Sequence, residues 1–120
     1  MRPDERDAGY LLDMIEHARG VVRALQGRTL DDYVRDEDLR LAVERRIEII
    51  GEAARRVSPA FQQAHPEIAW RKVIAQRHVL AHEYGEIQDD IMWRVATVSV
   101  PELISLLEPL IPPLPSDPEA

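Results

Sequence analysis

Residues 36–57 read DEDLRLAVERRIEIIGEAARRV. Leu39, Val43, Ile47, Ile50, Ala54 and Val57 recur at steps of three and four, so one apolar stripe runs the length of the segment. The polar positions between them carry charge. This is the pattern of a long amphipathic helix, and it fixes the fold class, since a stripe that long needs other helices to cover it. Ser58-Pro59 should stop this helix, with Ser58 capping the short one that follows.

The segments on either side read the same way. In DAGYLLDMIEHARGVVRAL, residues 7–25, the stripe is Leu11, Met14 or Ile15, Ala18, Val22 and Leu25. The helix should begin just after Pro3 and end near Gly27. Thr29 with Asp32 three residues on resembles a capping box, and predicts a short helical turn through Tyr33. Downstream, His65-Pro66 disfavours helix at His65. PEIAWRKVIAQRHVLAH, from Pro66, then opens a third long helix that Gly85 should end. A last helix should start near Ile87 and carry Ile91, Val95, Val98, Leu103, Leu106 and Leu107, with a kink or break at Pro101. No stretch alternates in the manner of a strand bounded by hairpin turns. The expected fold is all-α, an up-and-down bundle of four main helices plus short helical turns, with a kinked last helix. Residues 1–110 should form the helical domain, and residues 111–120 a proline-rich flexible tail.

Composition narrows the function. One hundred and twenty residues suit a single core. No apolar run approaches the roughly 20 residues needed to span a bilayer. The charged start MRPDERD lacks the apolar region of a signal peptide, which points to the cytoplasm. With no cysteine, disulfides and thiolate metal sites are ruled out. A formal charge of −7 weighs against broad nucleic-acid binding but leaves room for a local basic pocket. Arg45, Arg46, Arg55, Arg56, Arg71, Lys72 and Arg77 all fall mid-chain, where such a pocket would form.

The densest chemistry lies in WRKVIAQRHVLAHEYG, Trp70 to Gly85. Three readings of it stay open. The first is a packed helix end, with Val73, Ile74 and Leu80 in the core and His favoured by the helix dipole. The second is a metal site. His78 and His82 are four apart and share a helical face, yet no third ligand is suitably spaced and no general base sits between them. The third is phosphodiester chemistry. Arg77 offers a permanently charged fork for a phosphate, and His82 titrates near neutrality. The two are five residues apart, so on a regular helix they diverge by roughly 140°. They could flank one pocket from two sides, and a symmetric dimer would bring a second such pair to it. RNA supplies its own nucleophile, so this chemistry needs no metal or other cofactor. Trp70 and Trp93 read as core anchors. Glu48 and Glu52 read as carboxylates that orient arginines or join a dimer contact.

At this point the residues resemble a known family. RHVLAHEY, residues 77–84, is similar to the R-x4-H-x-Y motif of HepT-like toxins, a branch of the HEPN superfamily. ERRIEIIGEAARRVS resembles the family segment NLEIIGEAxxxLS, and HPEIAWRKV resembles YPEIPWxxI. DIMW followed by VPEL resembles its final helix with an internal proline. The resemblance covers Ala8 to Leu110, with the segments in the family's order. It implies a HEPN-like helical bundle that forms a homodimer, and a metal-independent endoribonuclease that is toxic to its own cell. A minimal nucleotidyltransferase antitoxin is the implied partner, able to neutralise the toxin by placing AMP on the motif tyrosine. Carried over, Arg77 binds phosphate, His82 is catalytic, and Tyr84 accepts AMP. His78 stands where the family often has Asn or Asp, as a second acid–base group or a hydrogen-bonding strut. Arg46 stands where Asn is common. The competing function is a non-catalytic HEPN module that docks a nucleotidyltransferase or binds nucleotide, which the acidic net charge favours.

Overall fold

The computed structural model of the chain describes residues 2–82 and 89–111, and of residues 77–82 the backbone alone. The described residues are helical almost throughout, with no strand among them. The fold is all-α and HEPN-like, as expected. Four long pieces form the bundle: α1 (Glu5–Leu25), α3 (Glu37–Arg56), α5 (Trp70–His82), and a last piece made of α6 (Asp89–Arg94), a π turn (Val95–Ser99) and α7 (Val100–Leu107). Short helices α2 (Leu30–Arg35) and α4 (Pro59–Ala64) link them. A 3-10 turn, Glu108–Leu110, follows α7.

Caps set the boundaries. Asp4, Thr29, Asp36 and Ser58 each accept a backbone N–H of the first turn that follows. Thr29 and Asp32 form the reciprocal capping box. Such caps supply acceptors that the helix itself lacks, each worth about 1 kcal/mol. Gly27 follows α1 with φ +75°, a left-handed conformation that costs glycine little.

α3 is the central element, packed against α1 on one side and α5 on the other, while α1 also meets α7. The expected α3 stripe is buried from Leu39 through Val43, Ile47, Ile50 and Ala54 to Val57. On α1 the stripe runs through Leu11, Met14, Ile15, Ala18, Val21 and Leu25. Val22 is 41% exposed, so the inward residue at that turn is Val21. Three-residue steps pass between two helical neighbours, and the residue nearer α3 and α7 wins.

α5 begins at Trp70 and not at Pro66. The indole Nε1 of Trp70 donates to the carbonyl of His65 at 3.0 Å, which holds residues 65–69 as a turn. Phe61 stacks against the His65 ring at 4.4 Å and meets Trp70 edge-on at 6.4 Å. Buried Ile68 completes that corner. The expected stop at Gly85, the start near Ile87 and the side chain of Leu80 lie outside the described residues.

The last helix departs from expectation in register. Ile91 and Val98 are exposed, and the buried line is Met92, Ala96, Val100, Leu103 and Leu107. The disturbance comes before Pro101. Proline brings no N–H, so a regular helix would leave the carbonyl of Thr97 without a donor. The chain widens instead: the N–H of Val100 reaches back five residues to Val95, and Pro101 falls in the first turn of α7, where no N–H is needed.

One clasp was not foreseen. Asp7 is 3% exposed. Its carboxylate accepts the backbone N–H of Ser58 at 2.8 Å and the Ser58 hydroxyl at 2.6 Å. Ser58 Oγ in turn accepts the N–H of Phe61. The first turn of α1 is thereby tied to the α3–α4 junction, 51 residues away.

Candidate active site

α5 carries the motif. Its start is fixed by the Trp70 corner, and buried Val73 with half-buried Ile74 press it onto the core. The helical backbone runs unbroken from there to His82, so Arg77, His78 and His82 all lie on the second half of one helix. Five residues of helix separate Arg77 from His82 by about 7.5 Å along the axis. The side chains of these three residues, and Tyr84 altogether, lie outside the described residues.

A cleft of about 110 Å³ opens between α5 and the last helix, with α3 as its floor. Its walls are Ile47, Ile50, Val73, Val100, Leu103 and Leu106. Lys72 and Gln76 from α5, Glu67 from the turn before it, and Ser99 and Glu102 from the opposite helix bring polar groups to it. Gln76 directly precedes Arg77 in the chain. Sequence reading took Lys72 only as one of several mid-chain cations and passed over Gln76, Ser99 and Glu102. The signal available was the proline at 101, which forces the π turn that sets Ser99 and Val100 against α5.

A second cluster sits where α6 begins, seven residues past His82. Tyr33 is fully buried, and its hydroxyl has no hydrogen-bond partner among the described residues. Burial raises its pKa, helped by the charges of Glu44 and Asp89 and opposed by Arg40. Burial also raises the pKa of half-buried Glu44, with Asp89 adding to it and Arg40 working against it. Arg40 reaches Asp89 at 4.0 Å and also donates to the carbonyl of Val34. Trp93 lies over Tyr33 with ring centres 5.8 Å apart. This cluster joins α2, α3 and α6.

The remaining sequence-derived residues fall into place around these two features. Trp70 is a core residue, and Trp93 is half-buried against the core. Glu48 pairs with Arg45 at 3.1 Å, and Glu52 with Arg55 at 2.9 Å and Arg56 at 3.3 Å, so both do hold arginines in place. Arg46 has a definite setting: its guanidinium lies over Gly20 of α1, with Nη1 3.1 Å from His17 Nδ1. Among the described residues no group of three or more His, Cys, Asp or Glu is placed to hold a metal ion, and no helix is long and apolar enough to cross a membrane.

The architecture is that of a small all-α bundle in which an Arg- and His-bearing helix packs against the central α3. Residues 14–110 match the family described as Ribonuclease HepT-like, and the chain belongs to this HepT-like ribonuclease family. "Probable ribonuclease HepT" of Thermococcus cleftensis is 31% identical over 101 residues, covering 84% of this chain and 92% of that protein. A protein of Caldanaerobacter subterraneus subsp. tengcongensis, named "Putative RNase", is 30% identical over 94 residues, covering 78% of this chain and 84% of its own. A relative in Methanocaldococcus jannaschii with the same description is 29% identical over 94 residues, covering 78% and 86%. No solved structure gives a significant match.

Proposed function

We propose that the chain is the toxin of a toxin–antitoxin pair, a metal-independent endoribonuclease that acts on RNA in the cytoplasm through Arg77 and His82. The observation that carries this reading is the unbroken helix from Trp70 to His82, bearing both residues inside the region that the family matches. The names of the relatives, which speak of RNase, support it.

The chemistry follows from the groups. His82 accepts the proton of a ribose 2′-hydroxyl, whose oxygen attacks the adjacent phosphorus. The bond to the 5′-oxygen of the next nucleotide breaks, leaving a 2′,3′-cyclic phosphate, and that oxygen takes up a proton. Arg77 holds the phosphate and offsets the charge that builds on its non-bridging oxygens. In a homodimer the second copy's pair supplies the acid for the leaving group. One positioned imidazole is worth on the order of 10²–10⁴-fold in rate. His78 serves beside them as an accessory acid–base group or strut. A nucleotidyltransferase partner silences the enzyme by moving AMP from ATP onto the Tyr84 oxygen, with loss of the phenol proton and release of pyrophosphate, which places bulk and negative charge beside Arg77.

His82→Ala and Arg77→Ala should each lose RNA cleavage, measured in EDTA with partner-free protein, while circular dichroism stays at the wild-type level. Cleavage by His82→Ala at the wild-type rate would sink the assignment. Co-expression with the partner should add AMP mass units that Tyr84→Phe abolishes. The second reading, a non-catalytic module that docks the nucleotidyltransferase, draws on the net charge of −7. It predicts tight partner binding with no cleavage by the wild-type chain.

A further inference from the structure

We propose that the cleft between α5 and α7 is a base-binding subsite that takes one pyrimidine ring of single-stranded RNA beside the Arg77 position. The proposal rests on the ribonuclease reading and adds the part of the substrate that lies next to the reacting phosphate.

Size comes first. The cleft holds about 110 Å³. An apolar cavity of about 150 Å³ accepts a benzene ring, so the space here suits one six-membered ring with its edge left outside. A purine seated in full needs more room than this. Chemistry comes second. The walls are aliphatic, from α3, α5 and α7, and can cover the faces of a planar ring. At its edges stand Lys72, Gln76, Ser99 and Glu102, together with Glu67, whose carboxylate is engaged by the His65 ring at 2.9 Å. Among the described residues the side chains of Lys72, Gln76, Ser99 and Glu102 make no hydrogen bond or ion pair with one another. Lys72 donates, Glu102 accepts, and Gln76 and Ser99 do both. Together they match the mixed edge of a pyrimidine, and Glu102 favours cytosine, whose exocyclic amine donates.

Position comes third. Lys72, Val73 and Gln76 rise along α5 toward Arg77, and Lys72 precedes Arg77 by about 7.5 Å of helix, on the scale of one nucleotide step. A base seated at Gln76 therefore carries its phosphate toward Arg77. The opposite wall is formed where the chain makes its π turn, a local widening that recurs at functional sites and that here delivers Ser99 and Val100 to the cleft.

The test separates this subsite from the reading beneath it. Cytidine 5′-monophosphate titrated into full-length protein should shift the backbone amides of Val73, Gln76, Ser99 and Leu103 in an NMR spectrum. Adenosine 5′-monophosphate should do so at least about tenfold more weakly. Gln76→Ala and Ser99→Phe, the first removing an edge contact and the second filling the space, should each weaken the cytidine response by about tenfold, the loss expected when a polar contact or a seat is removed. Wild-type cleavage should favour oligonucleotides of cytidine over those of adenosine, and Gln76→Ala should narrow that preference. Shifts confined to other residues, equal response to both nucleotides, or unchanged binding in both variants would overturn the subsite. So would amide shifts at the cleft that depend on protein concentration alone, which would give it to a second copy of the chain. Binding is read without turnover. If RNA is cleaved with no base preference and no cleft shifts, the subsite fails and the ribonuclease stands. If the cleft binds cytidine but no RNA is cut, the ribonuclease reading fails alone.

Discussion

Glu44 is a carboxylate kept in poor surroundings. It is half-buried, and Asp89 adds a second negative charge nearby. Both raise its pKa above the ordinary 4.5. A raised carboxylate favours folding while it is protonated, so its contribution is complete below 4.5 and is lost as pH climbs through the folded-state value. Glu44→Gln should therefore match wild-type stability in acid and exceed it at neutral pH, in urea titrations run across the range. A gap that is constant with pH would show that charge is not the cause. Asp7 is a buried carboxylate with hydrogen-bond partners. Asp7→Ala removes two charge-assisted bonds to Ser58 and should cost about 3 kcal/mol in the same titration. Ser58→Ala keeps the backbone bond and should cost less.

The last helix shows what an element can hide. Its stripe was legible beyond Pro101, where Leu103 and Leu107 are buried as expected, and wrong before it, where Met92 and Ala96 replace Ile91 and Val98. The buried line still steps by three and four, but more than one such line runs through this segment, and the wider turn at Val95–Ser99 bears on which one faces inward. α3 was legible in full because it is regular, central and capped at both junctions. The Thr29–Asp32 box and the Ser58 cap were legible because each depends on residues three apart. The Asp7–Ser58 clasp and the Arg46–Gly20 contact were not, since each joins residues whose separation depends on how α1 packs on α3. Likewise the helix that carries Arg77, His78 and His82 was readable from its spacing, while the cleft beside it emerged only from packing. If Pro101 is seated as a first-turn residue, Pro101→Ala should change stability by less than about 1 kcal/mol. A proline inside a regular helix would instead release about 3 kcal/mol on the same change. Thermal unfolding tells the two apart.

At the scale of the whole molecule, charge is the controlling quantity. A chain of −7 repels RNA at a distance and must hold it through a few local contacts. With one or two phosphates engaged, log–log plots of RNA affinity against salt should have slopes no steeper than about −1.5. A slope of several units would reveal a cationic surface that the arginines paired to Glu48 and Glu52 do not provide. The clasp at Asp7 gives the molecule a direction of weakness as well. A protease that unravels substrates from the amino-terminal side meets the buried Asp7–Ser58 knot within its first few steps and must break α1, α3 and α4 apart together. One that pulls from the other end meets, among the described residues, the exposed Arg19–Glu108 pair, 3.8 Å apart and weak in water, and then the apolar packing of Leu107 and Leu103, which a single helix can give up alone. Cellular turnover of this chain should therefore proceed faster when the degradation tag is fused behind residue 120 than when it is fused ahead of residue 1.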